Sequence, residues 1–458
     1  MKIVKMSLAA AVLVGASAFA VDNVKISGDA QVFYNTNDMT PSYTNTVGTG
    51  AGTGTSGNLF DKENSAADAA LHLNVSADLA KNDLVSVSAG AGFTALSTLG
   101  LENNFVSNVW GGSHTASNLG TNGSNYPAKV DTNSWFNEAW IAISAGNTTA
   151  KVGRMELDTP LAFTETWSVE KNTFEAAVLI NTDLPDTTLV GAYVGNGNGT
   201  ETFGAAGNAD SVSSLNLAVG AVVNSNGRFE TYGENGAYAA GIINNSIKPL
   251  TVQAWYYDVS KLAQAYWLQA DVSMEGILAG AQYSGINLEK GSSFAVANGI
   301  TKDIDNDVYA LMLGYEMKDM FTAKVSYSSV GKEELAGLAA GFNTATSSGA
   351  SKLYTEAWWS YGYVVRADTK AYNVTVEVPV KDIADFGVYY TNTDSGKNGG
   401  ATDRADMTEV TLTASRSFGP LDASLVYSNI KADDQNIKAG ATKGTAYNQV
   451  QAYLTLNF

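Results

Sequence analysis

The sequence predicts an all-β protein, a transmembrane antiparallel β-barrel of about 18 strands, and three observations carry that expectation. The chain ends in an unbroken alternation, with Val450, Ala452, Leu454, Leu456 and Phe458 on one face and Gln449, Gln451, Tyr453, Thr455 and Asn457 on the other. A strand of roughly ten residues, apolar on one side and polar on the other, matches a tilted β-strand across a bilayer. Met1 to Ala20 has the build of an export leader. Between the two ends, alternating segments are joined by connections that are short and long in turn, the rhythm of a barrel with tight turns at one rim and long loops at the other.

In the leader, Lys2 and Lys5 precede the apolar run Leu8 to Gly15, and Ala18-Phe19-Ala20 supplies small residues for a cleavage site. The expected organisation is a signal peptide over 1–20 and one barrel over 21–458, because no linker-like change of composition divides the chain. No apolar run is long enough for a transmembrane helix, which needs about 20 residues. The near-zero mean hydropathy is consistent with a barrel, since lipid-facing and lumen-facing residues alternate and cancel in any window.

The first strand runs from Asn23 to Tyr34, with Val24, Ile26, Gly28, Ala30 and Val32 opposite Lys25, Ser27, Asp29, Gln31 and Phe33. A face that carries lysine and aspartate is costly toward lipid and natural toward water, so it should line the lumen. After a Gly/Thr/Asn-rich loop, Ala67 to Leu79 and Leu84 to Ala95 form a pair about the short turn at 80–83. Short turns recur near Asn147, Pro185, Gly276, Asp319 and Pro420, and longer connections cover 196–233, 287–305, 330–368, 394–404 and 430–447. The plausible strands number about 18, with 16 as the alternative, and antiparallel closure asks for an even number. Aromatic groups Trp135, Phe136 and Trp140; Trp255, Tyr256 and Tyr257; Trp358, Trp359, Tyr361 and Tyr363; and Tyr389 and Tyr390 are expected at strand ends, as girdles at headgroup level.

Composition excludes several function classes. There is no cysteine, hence no disulfide, thiolate chemistry or zinc finger. Without the leader, 25 basic residues face 45 acidic ones, a formal charge of −20, which speaks against nucleic acid as a partner. Gly48 to Gly57 and Gly195 to Gly199 lack the Lys-Ser/Thr that a phosphate cradle requires. His72 and His114 are the two histidines, and no Ser-His-acid spacing accompanies either, so no enzyme activity is expected. Asp303, Asp305 and Asp307 resemble the start of a calcium loop, but Val308 stands where its glycine belongs and Gly314 where its glutamate belongs. No cofactor is required; a looser Ca²⁺ or Mg²⁺ site in that external loop stays open.

The block Gly153-Arg154-Met155-Glu156-Leu157-Asp158-Thr159-Pro160, with Thr173 to Leu179 and Asp183 to Leu189, resembles the Opr porin family of OprD-like channels and major outer-membrane porins. The segments Leu250 to Tyr257 and Tyr309 to Glu316 are similar to it as well. The resemblance implies an 18-stranded unit in the outer membrane of a Gram-negative cell, usually in a homotrimer, with the third external loop folded into the channel. Here that loop would be Glu156 to Thr173. Members that line the pore with an arginine ladder differ from this chain, which has only five arginines, Arg154, Arg228, Arg366, Arg404 and Arg416.

The expected function is passive diffusion of small hydrophilic solutes and ions, with a substrate-selective channel of the same fold, a barrel enzyme and a surface adhesin as alternatives. Arg154, Glu156, Asp158, Glu165, Glu170 and Lys171 are expected at the constriction. Lys25, Asp29, Asp271, Lys324, Glu377 and Glu409 are expected as lumen-facing charges; the acidic excess then predicts a preference for cations. Tyr453, Leu456 and Phe458 form the assembly signal for the barrel-assembly machinery, and lipid with lipopolysaccharide is the expected surrounding.

Overall fold

A two-residue period gives each strand one face for lipid and one for water, and only a sheet closed on itself leaves no backbone group unpaired within a membrane. The computed structural model shows that closure. It describes residues 22–39, 42–43, 52–53, 57–61, 64–97, 99–101, 133–166, 169, 171–198, 229–231, 235–291, 296, 301–333, 351–396, 405–438 and 440–458. The signal peptide expected over 1–20 lies outside these residues, as do His114, Arg228 and Arg404.

Eighteen long strands form the wall, each antiparallel to the next. They are β1 (Asp22–Asn37), β2 (Ser65–Lys81), β3 (Val85–Ser97), β4 (Asn133–Ala145), β5 (Thr148–Met155) and β6 (Phe174–Asn181). Then come β7 (Thr187–Gly197), β8 (Ala237–Asn244), β9 (Leu250–Val259), β10 (Ala263–Met274), β11 (Ile277–Leu288) and β12 (Ile304–Met317). Last are β13 (Phe321–Val330), β14 (Thr369–Val380), β15 (Ala384–Ser395), β16 (Met407–Phe418), β17 (Leu421–Ala432) and β18 (Tyr447–Asn457). The pair Glu230–Thr231 adds a short rung beside β7. The expected count of 18, rather than 16, is the observed one.

The seam joins β1 to β18, in register from Asp29 opposite Asn457 to Asn37 opposite Gln449. Phe458 extends it by one rung: its N–H donates to the Gly28 carbonyl at 2.9 Å and its own carbonyl accepts the Gly28 N–H at 2.8 Å. A Cβ at Gly28 would collide with the Phe458 ring, so this glycine makes room for the terminal aromatic.

Exposure settles which face is which. Leu71, Leu73, Ile141, Leu311, Leu313, Leu425, Leu454, Leu456 and Phe458 are exposed on the outside, whereas Gln449 and Gln451 are buried on the inside and Tyr453 stacks on Phe33 at 4.1 Å. An outer wall of exposed leucines over an inner wall of glutamine, serine and threonine is the inverse of a water-soluble sandwich and fits a bilayer-embedded barrel.

The girdles differ from expectation. Phe136, Tyr256 and Tyr390 are exposed on the outside as predicted, but Trp135, Trp140, Trp255, Tyr257 and Tyr389 share the inward face. Trp358, Trp359, Tyr361 and Tyr363 belong to no strand at all; they sit in a loop inside the barrel. Tyr256 and Tyr390 belong to a longer outer ring whose other members the sequence reading did not single out. Nine consecutive strands, β7 to β15, each place a tyrosine in one outward ring: Tyr193, Tyr238, Tyr256, Tyr266, Tyr283, Tyr309, Tyr327, Tyr372 and Tyr390. Neighbouring rings approach closely, with Tyr193–Tyr238 and Tyr327–Tyr372 each at 5.1 Å. Among the described residues of β2 to β6, no tyrosine continues the ring. No helix among the described residues is long and apolar enough to cross a membrane, a statement that does not bear on crossing by strands.

Candidate functional site: two loops inside the barrel

The described residues of the connection from β5 to β6, 156–166, 169 and 171–173, turn into the lumen. Its first half is a small hairpin: Asp158 bridges to Phe163, Thr164 N–H donates to the Leu157 carbonyl at 2.8 Å, and Ala162 N–H donates to Thr159 Oγ1 at 3.2 Å across Pro160–Leu161. Proline presets the φ that such a turn requires. Leu161 at the tip packs with Trp255, Tyr257 and Trp267 on β9 and β10, and its N–H reaches the Tyr257 hydroxyl at 3.4 Å. Val169 instead packs with Phe33, Leu96 and Trp135 on β1, β3 and β4. One loop thus touches two well-separated parts of the wall. Its return is fixed by Thr173, whose N–H donates to Asn198 Oδ1 at 2.8 Å and whose hydroxyl donates to the Asn137 carbonyl at 2.7 Å.

A second inward loop, absent from the sequence reading, is the described part of the β13–β14 connection, residues 351–368. Wall carboxylates and amides hold it. Glu409 on β16, 1% exposed, accepts the backbone N–H groups of Trp359 at 3.0 Å and Ser360 at 2.8 Å. Asp271 on β10 accepts the Tyr354 hydroxyl at 2.5 Å, and Gln282 on β11 brackets the same stretch through the Lys352 carbonyl and the Tyr354 N–H. Tyr354 fits because a Cβ at Gly280 would collide with it. Ser328 and Thr355 hydroxyls lie 2.6 Å apart, Trp358 lies over Tyr389 at 4.8 Å, and Asp434 beyond β17 accepts the Tyr363 hydroxyl and Arg366.

The predicted constriction residues separate into four groups. Glu156, Asp158 and Lys171 do stand on the inward loop, yet in pairs: Lys171 Nζ lies 3.3 Å from Glu156, and Asp158, 85% exposed, meets Lys352 from the second loop. Glu165 is on the loop but only 5% exposed, turned into its packing rather than toward the passage. Arg154 is a correction. Val152 and Arg154 lie two apart on β5 and share the outer face, where Arg154 pairs with Glu175 at 2.8 Å and stacks on Phe229 at 4.0 Å. Glu170 lies outside the described residues.

Lys25, Asp29, Asp271, Lys324, Glu377 and Glu409 all fall on the inward face by register. Glu409 is nevertheless covered by the second loop and does not face the passage. Asp29 is paired with His72 at 2.8 Å, and Glu377 accepts the Tyr389 hydroxyl at 2.8 Å. Of the five arginines, the described ones are dispersed, Arg154 outside, Arg366 on the second loop and Arg416 against turn carbonyls at 382–383, and form no ladder. Asp305 and Asp307 lie on the outer face of β12, engaged separately by Asn287 and Tyr283, and Asp303 accepts the Lys290 N–H. No three His, Cys, Asp or Glu side chains among the described residues are grouped to hold a metal ion.

Burial raises titrating groups on the second loop. The Glu356 carboxyl is pushed up to about 8 by burial and the nearby charge of Glu165, against the Ser351 N–H and Lys352. The Tyr361 hydroxyl is pushed up by burial and by the charges of Glu165 and Glu356.

No protein-family model and no curated protein matches the chain. Solved structures do. The OccK9 (OpdG) protein of Pseudomonas aeruginosa superposes with a TM-score of 0.67 at 9% identity, covering 95% of this chain and 99% of its own. OccAB1 of Acinetobacter baumannii gives 0.65 at 13% identity with 96% and 97% coverage. P. aeruginosa OpdK, solved with vanillate, gives 0.64 at 10% identity with 95% and 99% coverage. At such identities the likeness is one of fold. With an 18-stranded closed wall and end-to-end superposition, the chain has the fold of the OprD-like outer-membrane channels.

Proposed function

We propose that this protein is an outer-membrane channel through which small hydrophilic solutes and ions diffuse passively, narrowed between its two inward loops. The observation that carries the reading is those loops: they are held by a polar inner wall while the outer wall is apolar, an arrangement that suits a water-filled passage through a membrane. Export by the leader at 1–20 and insertion by the barrel-assembly machinery through Tyr453, Leu456 and Phe458 accompany it. Lipid and lipopolysaccharide surround the belt, and the strands without a tyrosine ring favour contact with two further copies in a trimer. A divalent cation at the outer acidic loop around Asp303 and Asp305 would serve lipopolysaccharide rather than the passage.

The second inward loop also favours a solute-selective form of the same channel, because it narrows the lumen with fixed hydrogen-bonding groups. Vanillate in OpdK is a property of that protein; the dispersed arginines here supply no row of cations for such a ligand. A cation preference should be weak. Glu156 and Asp158 are matched by Lys171 and Lys352, and of the predicted wall charges that stay uncovered Asp29, Asp271 and Glu377 face Lys25 and Lys324, an excess of one acid. Planar-bilayer recording tests both statements. Stepwise conductance with a small cation-selective reversal potential that fades at high salt is expected; a barrel intact in detergent that never conducts would sink the channel reading.

A further inference from the structure

Among the described residues of the two inward loops, one large apolar side chain is left exposed: Trp358 of the second loop, at 37%. Its neighbours Ala357 and Tyr363 are buried in one cluster and Leu353, Val364 and Val365 in another, so the indole stands out of the loop rather than into its packing. The indole N–H has no partner among the described residues. Its ring lies against Tyr389 of β15, with centroids 4.8 Å apart, and Tyr389 is fixed in turn by donating its hydroxyl to Glu377 Oε1 of β14 at 2.8 Å. Gly387 makes the space: a Cβ there would come within 2.6 Å of the Tyr389 ring and 2.5 Å of Thr413 Oγ1 on β16. Lys324 of β13 stands inward opposite Thr375, the next inward position to Glu377. Among the described residues no ion pair engages Glu377 or Lys324. Tyr389 and Glu377 lie on the short-turn side of Glu409, the loop's anchor, so they line the passage just past the loop.

We propose that Trp358, Tyr389, Glu377 and Lys324 form a binding station for a neutral saccharide ring, a proposal that rests on the channel reading above and names a solute class for it. A pyranose carries an apolar face of C–H groups and a rim of hydroxyls, and each has its counterpart here. The exposed indole offers a flat apolar surface that gains by leaving water. Glu377 has one oxygen held by Tyr389 and a second oxygen for hydroxyl donors, bonds that its charge strengthens. Lys324 and the indole N–H donate to hydroxyl oxygens. One acid and one base leave the station without net charge, so neither an anion nor a cation is favoured over a neutral solute. An aromatic wall with a few placed polar groups is the common make-up of a small-molecule site.

Single-channel recording of the purified protein in planar bilayers tests this, with maltose as the probe and a polyethylene glycol of equal size as the comparison. In the wild type maltose is expected to interrupt the current in a saturating way, whereas the glycol lowers it only in proportion to its concentration. W358A is expected to raise the half-blocking maltose concentration about tenfold, for the loss of one aromatic contact. W358F should restore most of that affinity, a rescue that a change in conductance alone would not bring. E377Q should raise the half-blocking concentration severalfold, because its bonds to hydroxyls lose their charge. The proposal is overturned if maltose acts no differently from the glycol, or if W358A keeps the wild-type half-block. Should W358A fail to assemble, E377Q carries the test, and an unmoved half-block in it overturns the station. Saturating block by tetraethylammonium but not by maltose overturns it in favour of a cation site. Steady conductance that maltose leaves untouched sinks the station alone, whereas no conductance at all counts against the channel itself.

Discussion

The first inward loop is held mostly by itself, the second mostly by the wall. The described residues of the first loop build their own hairpin and an internal brace, with Asn172 Oδ1 accepting the Glu165 N–H and Asn172 Nδ2 donating to the Phe163 carbonyl. Residues 351–368 have a single 3₁₀ turn, Tyr361–Tyr363, and otherwise hang from Asp271, Gln282, Ser328 and Glu409. A self-braced loop tolerates change in the barrel and depends on its own sequence. A wall-hung loop depends on carboxylates far away in the chain, so single substitutions on the strands should act on the passage through it.

The largest expected effect follows from that dependence. E409A removes one acceptor for two backbone N–H groups, a loss of about 2–4 kcal/mol for buried donors left unpaired. The second loop should leave its seat and single-channel conductance should rise severalfold, with heat-modifiable gel mobility showing that the barrel itself persists. Equal conductance in E409A and wild type would mean that the wall does not hold this loop. N172A should have a smaller effect, about 1–2 kcal/mol within the first loop, because Thr173 and Val169 still anchor its return. The expected readout is noisier current at nearly unchanged mean conductance; a rise as large as that of E409A would erase the distinction between the loops. D158N should be the mildest. An exposed ion pair contributes under about 1 kcal/mol, so stability should not move, while the reversal potential in a salt gradient should shift slightly toward anions at low salt and not at high salt.

How far the sequence revealed this follows from the range of the interactions. A strand's two faces are set by a local period, and the wall was therefore legible from residue types alone, down to the outward Phe458 and inward Tyr453. The same period contained the answer for Arg154: two residues from Val152, it belonged outside, but its nearness to the inward loop drew it into the constriction. Trp358, Trp359, Tyr361 and Tyr363 are aromatic, as a girdle would be, but lie in the second inward loop. The missing signal was alternation, since Trp-Trp-Ser-Tyr-Gly-Tyr has none and cannot be a strand with one wet face. Glu409 read correctly as inward, yet nothing near it reveals that its partners are backbone groups about 50 residues earlier. The acids of the first loop likewise looked unmatched because Lys352 approaches from a different loop.

The seam has a consequence for how the molecule comes into being. The rung between Gly28 and Phe458 joins the first strand of the wall to the last. A ribosome releases the first strand long before its last partner exists, so throughout synthesis that strand has no mate on one side. Pairing at such sequence distance is slow to find unaided, and an unmated edge is a template for pairing with other chains. The acidic excess of the chain keeps copies apart during the wait. Completion comes with the pairing of β1 and β18, and afterwards the wall has no free edge from which to fray.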